Sequence, residues 1–171
     1  MGSLILAGDS LAVGLYQPLQ RHLPSIVSVA QDGRCAKDAQ HIPADASMVI
    51  VSLGTNDADA RAPAGWEQTY AERLHGIMCA APAAHFLWLL PPAMGEAGRE
   101  FFVDQRRRVI RDVAVAAHAL HMEPWPVSDY QNYYQGQQIR DDDGIHFTAQ
   151  GYALWAHAIQ LAFAFAIAQC A

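Results

Sequence analysis

Short runs of consecutive apolar residues recur along the chain, and segments with helical spacing lie between them. Uninterrupted apolar runs of this length are typical of strands buried on both faces, as in parallel sheets covered by helices. The runs predicted to be strands are residues 4–7, 26–30, 48–53 and 86–90, and a short fifth strand is predicted at 121–123. The alternation predicts an α/β fold, a three-layer α/β/α sandwich. In such sheets, ligands bind beyond the carboxyl ends of the strands.

Four segments are predicted to be helices, at residues 13–23, 66–78, 99–120 and 149–168. The third carries an apolar stripe at helical spacing, formed by Phe102, Val109, Val113, Ala117 and Leu120. The last is strongly apolar from Tyr152 onward, but His157 and Gln160 interrupt it. We therefore interpret it as a core helix rather than a membrane span, with contact to a second copy of the chain as the alternative.

The length and composition favour one globular domain covering residues 1–171. The chain has 171 residues, of which 52% are hydrophobic and 16% charged, and no repeat or linker divides it. The net charge of −6 argues against a nucleic-acid partner, which requires clustered basic residues. The one basic run, formed by Arg106, Arg107, Arg108 and Arg111, is interpreted as the solvated face of a helix.

The cysteines and the amino-terminal residues provide evidence about the cellular compartment in which the protein is found. Cys35, Cys79 and Cys170 are odd in number and form no CxxC pair, so we expect neither a disulfide framework nor a zinc ribbon. The residues Met1-Gly2-Ser3 lead directly into an apolar strand, without a signal peptide. We expect a cytoplasmic protein, or a periplasmic or secreted one if a native leader has been removed.

Ser10 follows the first predicted strand and precedes a helix. Its hydroxyl is therefore expected near the free backbone N–H groups of a helix N-terminus, which favour developing negative charge. A serine at this position also serves commonly as a simple helix cap. The position alone does not separate a nucleophile from a cap.

His146 lies in the segment Asp143-Gly144-Ile145-His146. A serine nucleophile needs a base, and histidine serves because its pKa lies near neutral pH. The base in turn needs an acceptor that orients it, and Asp143 is three residues away. The alternative is a solvated acidic turn made of Asp141, Asp142 and Asp143.

Two further positions are candidates for binding an oxyanion. Asn56 follows the most apolar strand, in the segment Gly54-Thr55-Asn56-Asp57, where a side-chain amide can donate to developing negative charge. Gly33 can bring its backbone N–H close to a substrate. The alternative for Asn56 is an ordinary polar turn, and the alternative for Gly33 is a bare turn glycine.

Taken together, these segments resemble the SGNH (GDSL-type) hydrolase family. The segment Gly8-Asp9-Ser10-Leu11 matches the family's first block, Gly33 the second, Gly54-Thr55-Asn56-Asp57 the third and Asp143-Gly144-Ile145-His146 the fifth. Each motif is short, but the four occur in order over nearly the whole chain. The resemblance implies a flavodoxin-like sandwich with a five-stranded parallel sheet.

The resemblance also implies a serine esterase mechanism. Ser10 is then the nucleophile, His146 the base and Asp143 the residue that orients the base. The backbone N–H groups of Ser10 and Gly33 and the side chain of Asn56 form the oxyanion hole. No metal or other cofactor is expected: His118 and His121 lie three apart without further ligands, and the sequence contains no P-loop or GxGxxG motif.

The substrate is predicted from the size of the chain, which leaves little room for a lid. An open site suits short acyl groups, so we expect removal of O-acetyl groups from a carbohydrate or a small ester. The alternatives are a lysophospholipase or thioesterase acting on longer chains, and a non-catalytic carbohydrate-binding relative. Six aromatic residues are candidates for sugar stacking or for plain core and rim packing: Trp66, Tyr70, Trp125, Tyr130, Tyr133 and Tyr134.

Overall fold

The computed structural model describes residues 2–38, 40–57, 63–126 and 131–170, with side chains through residue 164. A five-stranded sheet forms its centre, in the order β2-β1-β3-β4-β5, and every neighbouring pair is parallel. The strands are β1 Ser3–Gly8, β2 Ile26–Ser28, β3 Ala46–Ser52, β4 His85–Leu89 and β5 Leu120–Met122. The predicted parallel α/β fold is thus confirmed.

Four helices cover the two faces of the sheet. They are α1 Ser10–His22, α2 Trp66–Cys79, α3 Ala97–Ala116 and α4 Ala149–Cys170. Helices α1 and α4 pack together on one face, and α2 and α3 pack together on the other. This arrangement is the predicted three-layer sandwich.

The core consists of two apolar clusters, one on each side of the sheet. Val49 and Trp88 belong to the cluster under α2 and α3, whereas Leu6, Ile50 and Trp155 belong to the cluster under α1 and α4. Successive residues of a strand point to opposite faces, so a strand between two helical layers must be apolar at every position. This requirement explains the uninterrupted apolar runs in the sequence.

The third helix is shorter than predicted. It ends at Ala116, and the chain then turns through His118, whose φ is 53°. Leu120, which the helical spacing placed on the apolar stripe, instead begins β5 and packs against the cluster under α1 and α4. The first helix differs in the other direction, since it begins at Ser10 rather than at residue 13.

The interpretation of the basic run as a solvated face is wrong for two of its four arginines. Arg106 and Arg107 are each only 3% exposed, whereas Arg108 lies on the surface. Buried guanidinium groups are tolerated when they are hydrogen-bonded, and both arginines donate to backbone carbonyls of loops at the carboxyl edge of the sheet. The run therefore spans a buried face and an exposed face of α3.

The late Tyr- and Gln-rich segment contains a small hairpin that the sequence did not predict. Strand β6 Tyr133–Tyr134 pairs antiparallel with β7 Gln137–Gln138. The intervening Gln135 and Gly136 both have positive φ, the conformation of a tight hairpin turn. Glutamine is not one of the residues favoured at the first turn position, which explains why the hairpin was missed.

Helix α4 begins as a core helix and becomes exposed along its length. Trp155 and Ile159 are buried, whereas Leu161 is 58% exposed. Within the described residues, no helix combines the length and apolarity needed to cross a membrane. Contact of α4 with a second copy of the chain, the alternative to a core helix, remains a prediction.

Candidate active site

The carboxyl end of β1 brings Ser10 to the edge of the sheet. Gly8 ends the strand with a φ of 145°, and a Cβ at this position would lie only 2.0 Å from the carbonyl oxygen of Ser52 on β3. Only glycine permits this approach. The backbone N–H of Asp9 donates to the same Ser52 oxygen at 3.0 Å, which fixes where α1 begins.

Asp9, not Ser10, caps helix α1. The Oδ1 atom of Asp9 accepts the N–H of Leu11 at 3.0 Å. The simple capping role that was the alternative for Ser10 is therefore filled by its neighbour. Ser10 is the first residue of α1, where backbone N–H groups have no partner within the helix.

The side chains of Ser10, His146 and Asp143 form a continuous chain of hydrogen bonds. His146 Nε2 lies 2.9 Å from Ser10 Oγ, and His146 Nδ1 lies 2.5 Å from Asp143 Oδ2. Although 136 residues separate Ser10 from His146, the fold brings them into direct contact. All three residues are partly accessible, as a site open to a substrate requires.

The environment of Asp143 keeps this carboxylate ionised. Its partial burial works to raise the pKa, but the hydrogen bond from His146 and the backbone N–H groups of Ile145 and His146 lower the pKa to about 2. The two N–H groups donate to Oδ1 at 2.8 and 2.9 Å. Asp143 is thus held as an anion that accepts the Nδ1 proton of the imidazole at any working pH.

Arg140 positions the loop that carries His146. This arginine is 1% exposed and donates to the carbonyl oxygens of Ile145 at 2.6 Å and Ala93 at 2.7 Å. Its guanidinium also lies 3.9 Å from the centre of the Phe147 ring. This role is not visible in the sequence, because an arginine before an acidic run is typical of an ordinary surface position.

The loop containing Gly33 lies between the end of β1 and the loop containing Asn56. Gln31 N–H donates to the carbonyl oxygen of Gly8 at 3.0 Å. Asn56 Nδ2 donates to the carbonyl oxygen of Arg34 at 3.3 Å. Gly33 is exposed with a φ of 72°, and nothing lies within 4 Å of where a Cβ would be. The structure thus joins the loops of both predicted oxyanion residues to each other and to the strand that precedes Ser10.

Asp57 and Arg106 strengthen this connection, and the sequence analysis had assigned neither to the site. Both carboxylate oxygens of Asp57 accept the N–H of Ala36, at 3.0 and 3.1 Å. Arg106 Nε donates to the Asp57 carbonyl at 2.9 Å, and its guanidinium lies 3.4 Å from the Trp66 ring centre. A buried arginine of α3 therefore holds the loop of Asn56, which in turn holds the loop of Gly33.

Most of the aromatic candidates for sugar stacking are packed in the protein. Tyr70 and Trp125 are buried, and Trp66 lies against Arg106. Tyr134 packs against Trp125 with ring centres 5.4 Å apart, whereas Tyr133 is exposed. Tyr130 and the side chain of Cys170 lie outside what the structure describes.

Within the described residues, the other histidines form no metal centre. His118 lies in the turn after α3, and His121 lies on β5, where its Nε2 is 3.5 Å from Glu123. Over the part of the chain that the structure describes, no group of three or more His, Cys, Asp or Glu side chains is arranged to hold a metal ion.

Comparison with solved structures identifies the class of fold. An acetylxylan esterase from Geobacillus stearothermophilus superimposes with a TM-score of 0.69 at 17% identity, over 92% of this chain and 93% of that one. A GDSL-like lipase from Bacteroides thetaiotaomicron gives 0.68 at 15%, over 96% and 88%. The catalytic domain of peptidoglycan O-acetyltransferase A from Streptococcus pneumoniae gives 0.70 at 20%, over 98% and 94%. The fold is therefore the SGNH hydrolase fold that the motifs predicted.

A match to a family model assigns the chain to a specific family. It matches residues 34–161, most of the sequence, and the chain belongs to this family, which is described as a protein of unknown function (DUF459). No curated protein matches the sequence. The family description assigns no activity, so the function must be argued from the site.

Proposed function

We propose that this protein is a serine esterase, in which Ser10 is the nucleophile, His146 the general base and Asp143 the residue that orients His146. The observation that carries the proposal is the chain of hydrogen bonds from Ser10 Oγ through the imidazole to Asp143. A hydroxyl, an imidazole and a carboxylate in this order are the parts that activate a serine.

The reaction proceeds through an acyl-enzyme. Ser10 Oγ attacks the ester carbonyl while its proton passes to His146 Nε2. Collapse of the tetrahedral intermediate breaks the bond to the alcohol, which leaves with the proton from His146. Water, deprotonated by His146, then attacks the acyl-serine and releases the acid, returning the proton to Ser10.

The oxyanion of the intermediate is held by three donors in this proposal: the backbone N–H groups of Ser10 and Gly33 and the side-chain amide of Asn56. An amide nitrogen carries two hydrogens, so Asn56 can donate to the oxyanion while it donates to Arg34. The positive end of α1 adds a favourable field at Ser10.

The proposed substrate is a short O-acetyl ester of a carbohydrate or of another small alcohol. The acetylxylan esterase and the peptidoglycan O-acetyltransferase among the structural neighbours act in acetyl chemistry by their names, and they support this choice. A lysophospholipase or thioesterase acting on longer chains is the rival activity, and a carbohydrate-binding protein without activity is the rival class.

Replacement of the nucleophile tests the activity. We expect Ser10→Ala to abolish hydrolysis of p-nitrophenyl acetate with an unchanged circular dichroism spectrum, because no other group supplies the attacking oxygen. Ser47→Ala is the matched control, since Ser47 is exposed at the amino end of β3, away from the site. A wild type that binds glycans and hydrolyses no ester would support the non-catalytic alternative.

A series of p-nitrophenyl esters of increasing acyl length tests the substrate. The acetyl proposal predicts the highest kcat/KM for acetate and a steady fall with chain length. A preference for acyl groups of about eight carbons or more would favour the long-chain alternative and contradict the proposal, since a gain from added methylenes requires an apolar channel that buries them.

A further inference from the structure

We propose that a polar groove beside Gly33 binds the alcohol portion of the substrate, and that this portion is rich in hydroxyl groups, as in a sugar or another polyol. The proposal rests on the esterase function above and assigns the leaving-group side of the same site. The groove is a cavity of about 270 Å³, lined by Gln31, Asp32, Gly33, Arg34, Asp38 and His41.

The position of the groove links it to the reacting ester. It shares Gly33 with the proposed oxyanion hole, so it begins next to the place where the ester carbonyl would bind. The backbone of its loop is fixed on both sides, through Gln31 to Gly8 and through Arg34 to Asn56. The open space at Gly33 lets a ligand approach the main chain closely.

The chemistry of the lining favours a polyol over an acyl chain. Apart from Gly33, every lining residue has a polar or charged side chain. Hydroxyl groups can donate to carboxylates and exchange hydrogen bonds with an imidazole or an amide. A hydrocarbon tail would gain nothing here, because it would desolvate charged groups without burying apolar surface.

The charges in the groove also disfavour a phosphate. Asp32 and Asp38 both line it, and the guanidinium of Arg34 already donates to the carbonyl oxygen of Val29 and to Gln31 Oε1, each at 2.7 Å. A phosphorylated headgroup would therefore meet two carboxylates and an arginine that has other partners. A neutral polyol meets no such repulsion.

Asp32 and His41 are the residues that test the groove. Both are exposed, whereas Asp38 helps to hold the loop by accepting the N–H of Cys35 at 2.7 Å. The groove also shares Asp38 and His41 with a second cavity of about 560 Å³ that reaches Arg73 on α2.

The experiment compares two kinds of ester in the same enzyme variants. The kcat/KM is measured for p-nitrophenyl acetate and for a panel of mono-O-acetylated methyl glycosides, whose hydrolysis is followed by acetate release. The variants are Asp32→Ala and His41→Asn. Asparagine is chosen at position 41 because it tolerates the positive φ of 51° found there. Asp45→Ala is the matched control, since Asp45 is an exposed aspartate at the amino end of β3 and does not line the groove.

We expect Asp32→Ala to lower kcat/KM for the preferred glycoside about tenfold more than for p-nitrophenyl acetate, the effect of losing a hydrogen bond to a charged group. His41→Asn should also lower the ratio of kcat/KM for the glycoside to kcat/KM for p-nitrophenyl acetate, and Asp45→Ala should leave this ratio unchanged. An unchanged ratio in both groove variants would overturn the inference. A wild type that hydrolyses p-nitrophenyl acetate but no glycoside would also overturn it, with the esterase function intact. A wild type inactive on every ester would refute the esterase proposal itself.

Discussion

Asp9 is a buried carboxyl next to the proposed nucleophile. Its side chain is fully buried, and burial raises its pKa from 3.8 to about 7, with a further contribution from the negative charge of Asp57. The N–H of Leu11 opposes this shift but does not cancel it. The folded protein therefore keeps a proton on Asp9 at pH values where the unfolded chain has lost it.

This difference predicts a pH dependence of stability. Between about pH 4 and pH 7 the folded state binds one proton more than the unfolded state at Asp9, so this residue lowers the free energy of unfolding by about 1.4 kcal/mol per pH unit. The loss of unfolding free energy is absent below the pKa of Asp9 in the unfolded chain. It levels off above the pKa of about 7 that Asp9 has in the folded protein.

The substitution Asp9→Asn should remove this dependence while keeping the oxygen that caps α1. Urea unfolding at several pH values should show the variant gaining stability relative to the wild type as the pH rises from 4 to 7. If the free energies of unfolding of the two proteins differ by the same amount at every pH in this range, the raised pKa of Asp9 is contradicted.

Asn56 is expected to act on the transition state rather than on substrate binding. We predict that Asn56→Ala lowers kcat by roughly 10²–10³ with little change in KM, as for the loss of other oxyanion donors. Steady-state kinetics with p-nitrophenyl acetate measure the separate effects on kcat and KM. A fall in kcat of less than about threefold would remove Asn56 from this role.

At the scale of secondary-structure elements, buried arginines connect α3 and the late loop to the edge of the sheet that carries the site. Arg106 donates to the loop of Asn56, Arg107 to the loop after β4 and Arg140 to the loop of His146. Each donates to backbone carbonyl oxygens, so the buried guanidinium groups and the carbonyls supply each other with hydrogen-bond partners. The active-site loops are thus held by side chains that take no part in the proposed chemistry.

Two neighbouring arginines of α3 provide a matched test of whether buried arginines stabilise the fold by holding these loops. The side chain of Arg107 is 4% exposed and donates to the carbonyls of Pro91 and Pro92 and to Glu100, whereas the side chain of Arg108 is 70% exposed and pairs with Asp104 at the surface. We expect Arg107→Met to lower the free energy of unfolding by about 3 kcal/mol, because it leaves buried carbonyls without a donor.

The surface substitution Arg108→Met should change the free energy of unfolding by less than about 0.5 kcal/mol, as exposed ion pairs contribute little. Thermal or urea unfolding of both variants measures the contrast. Equal effects from the two substitutions would show that burial of Arg107 does not stabilise the fold.

At the scale of the whole molecule, the sequence predicted what depends on local pattern. Apolar runs identified four strands of the central sheet, β1 to β4, because a sheet between two helical layers demands apolar residues on both faces. The short spacing between Asp143 and His146 made their contact predictable, since both lie in one loop. The contact of this pair with Ser10 was implied by the resemblance to the SGNH hydrolases, because His146 lies in a late loop and does not follow a strand of the parallel sheet.

The remaining features depend on distant groups that a local pattern does not show. The sequence around Arg106 and Arg107 is typical of a surface helix. Their burial depends on the carbonyls of Asp57, Pro91 and Pro92, which are distant in the sequence. The end of α3 at Ala116 depends on a turn at His118, and the helical spacing of Leu120 is coincidental. The contribution of Asp57 to the Gly33 loop likewise joins two segments 21 residues apart.

Covalent labelling with a serine-directed phosphonate, mapped by mass spectrometry, tests the central claim most directly. An activated hydroxyl reacts with such a reagent, and an ordinary serine does not. We predict a single adduct on Ser10 in the folded protein, lost when His146 is replaced by alanine. A folded wild type that forms no adduct, or forms it on a different serine, would contradict the assignment of Ser10 as the nucleophile.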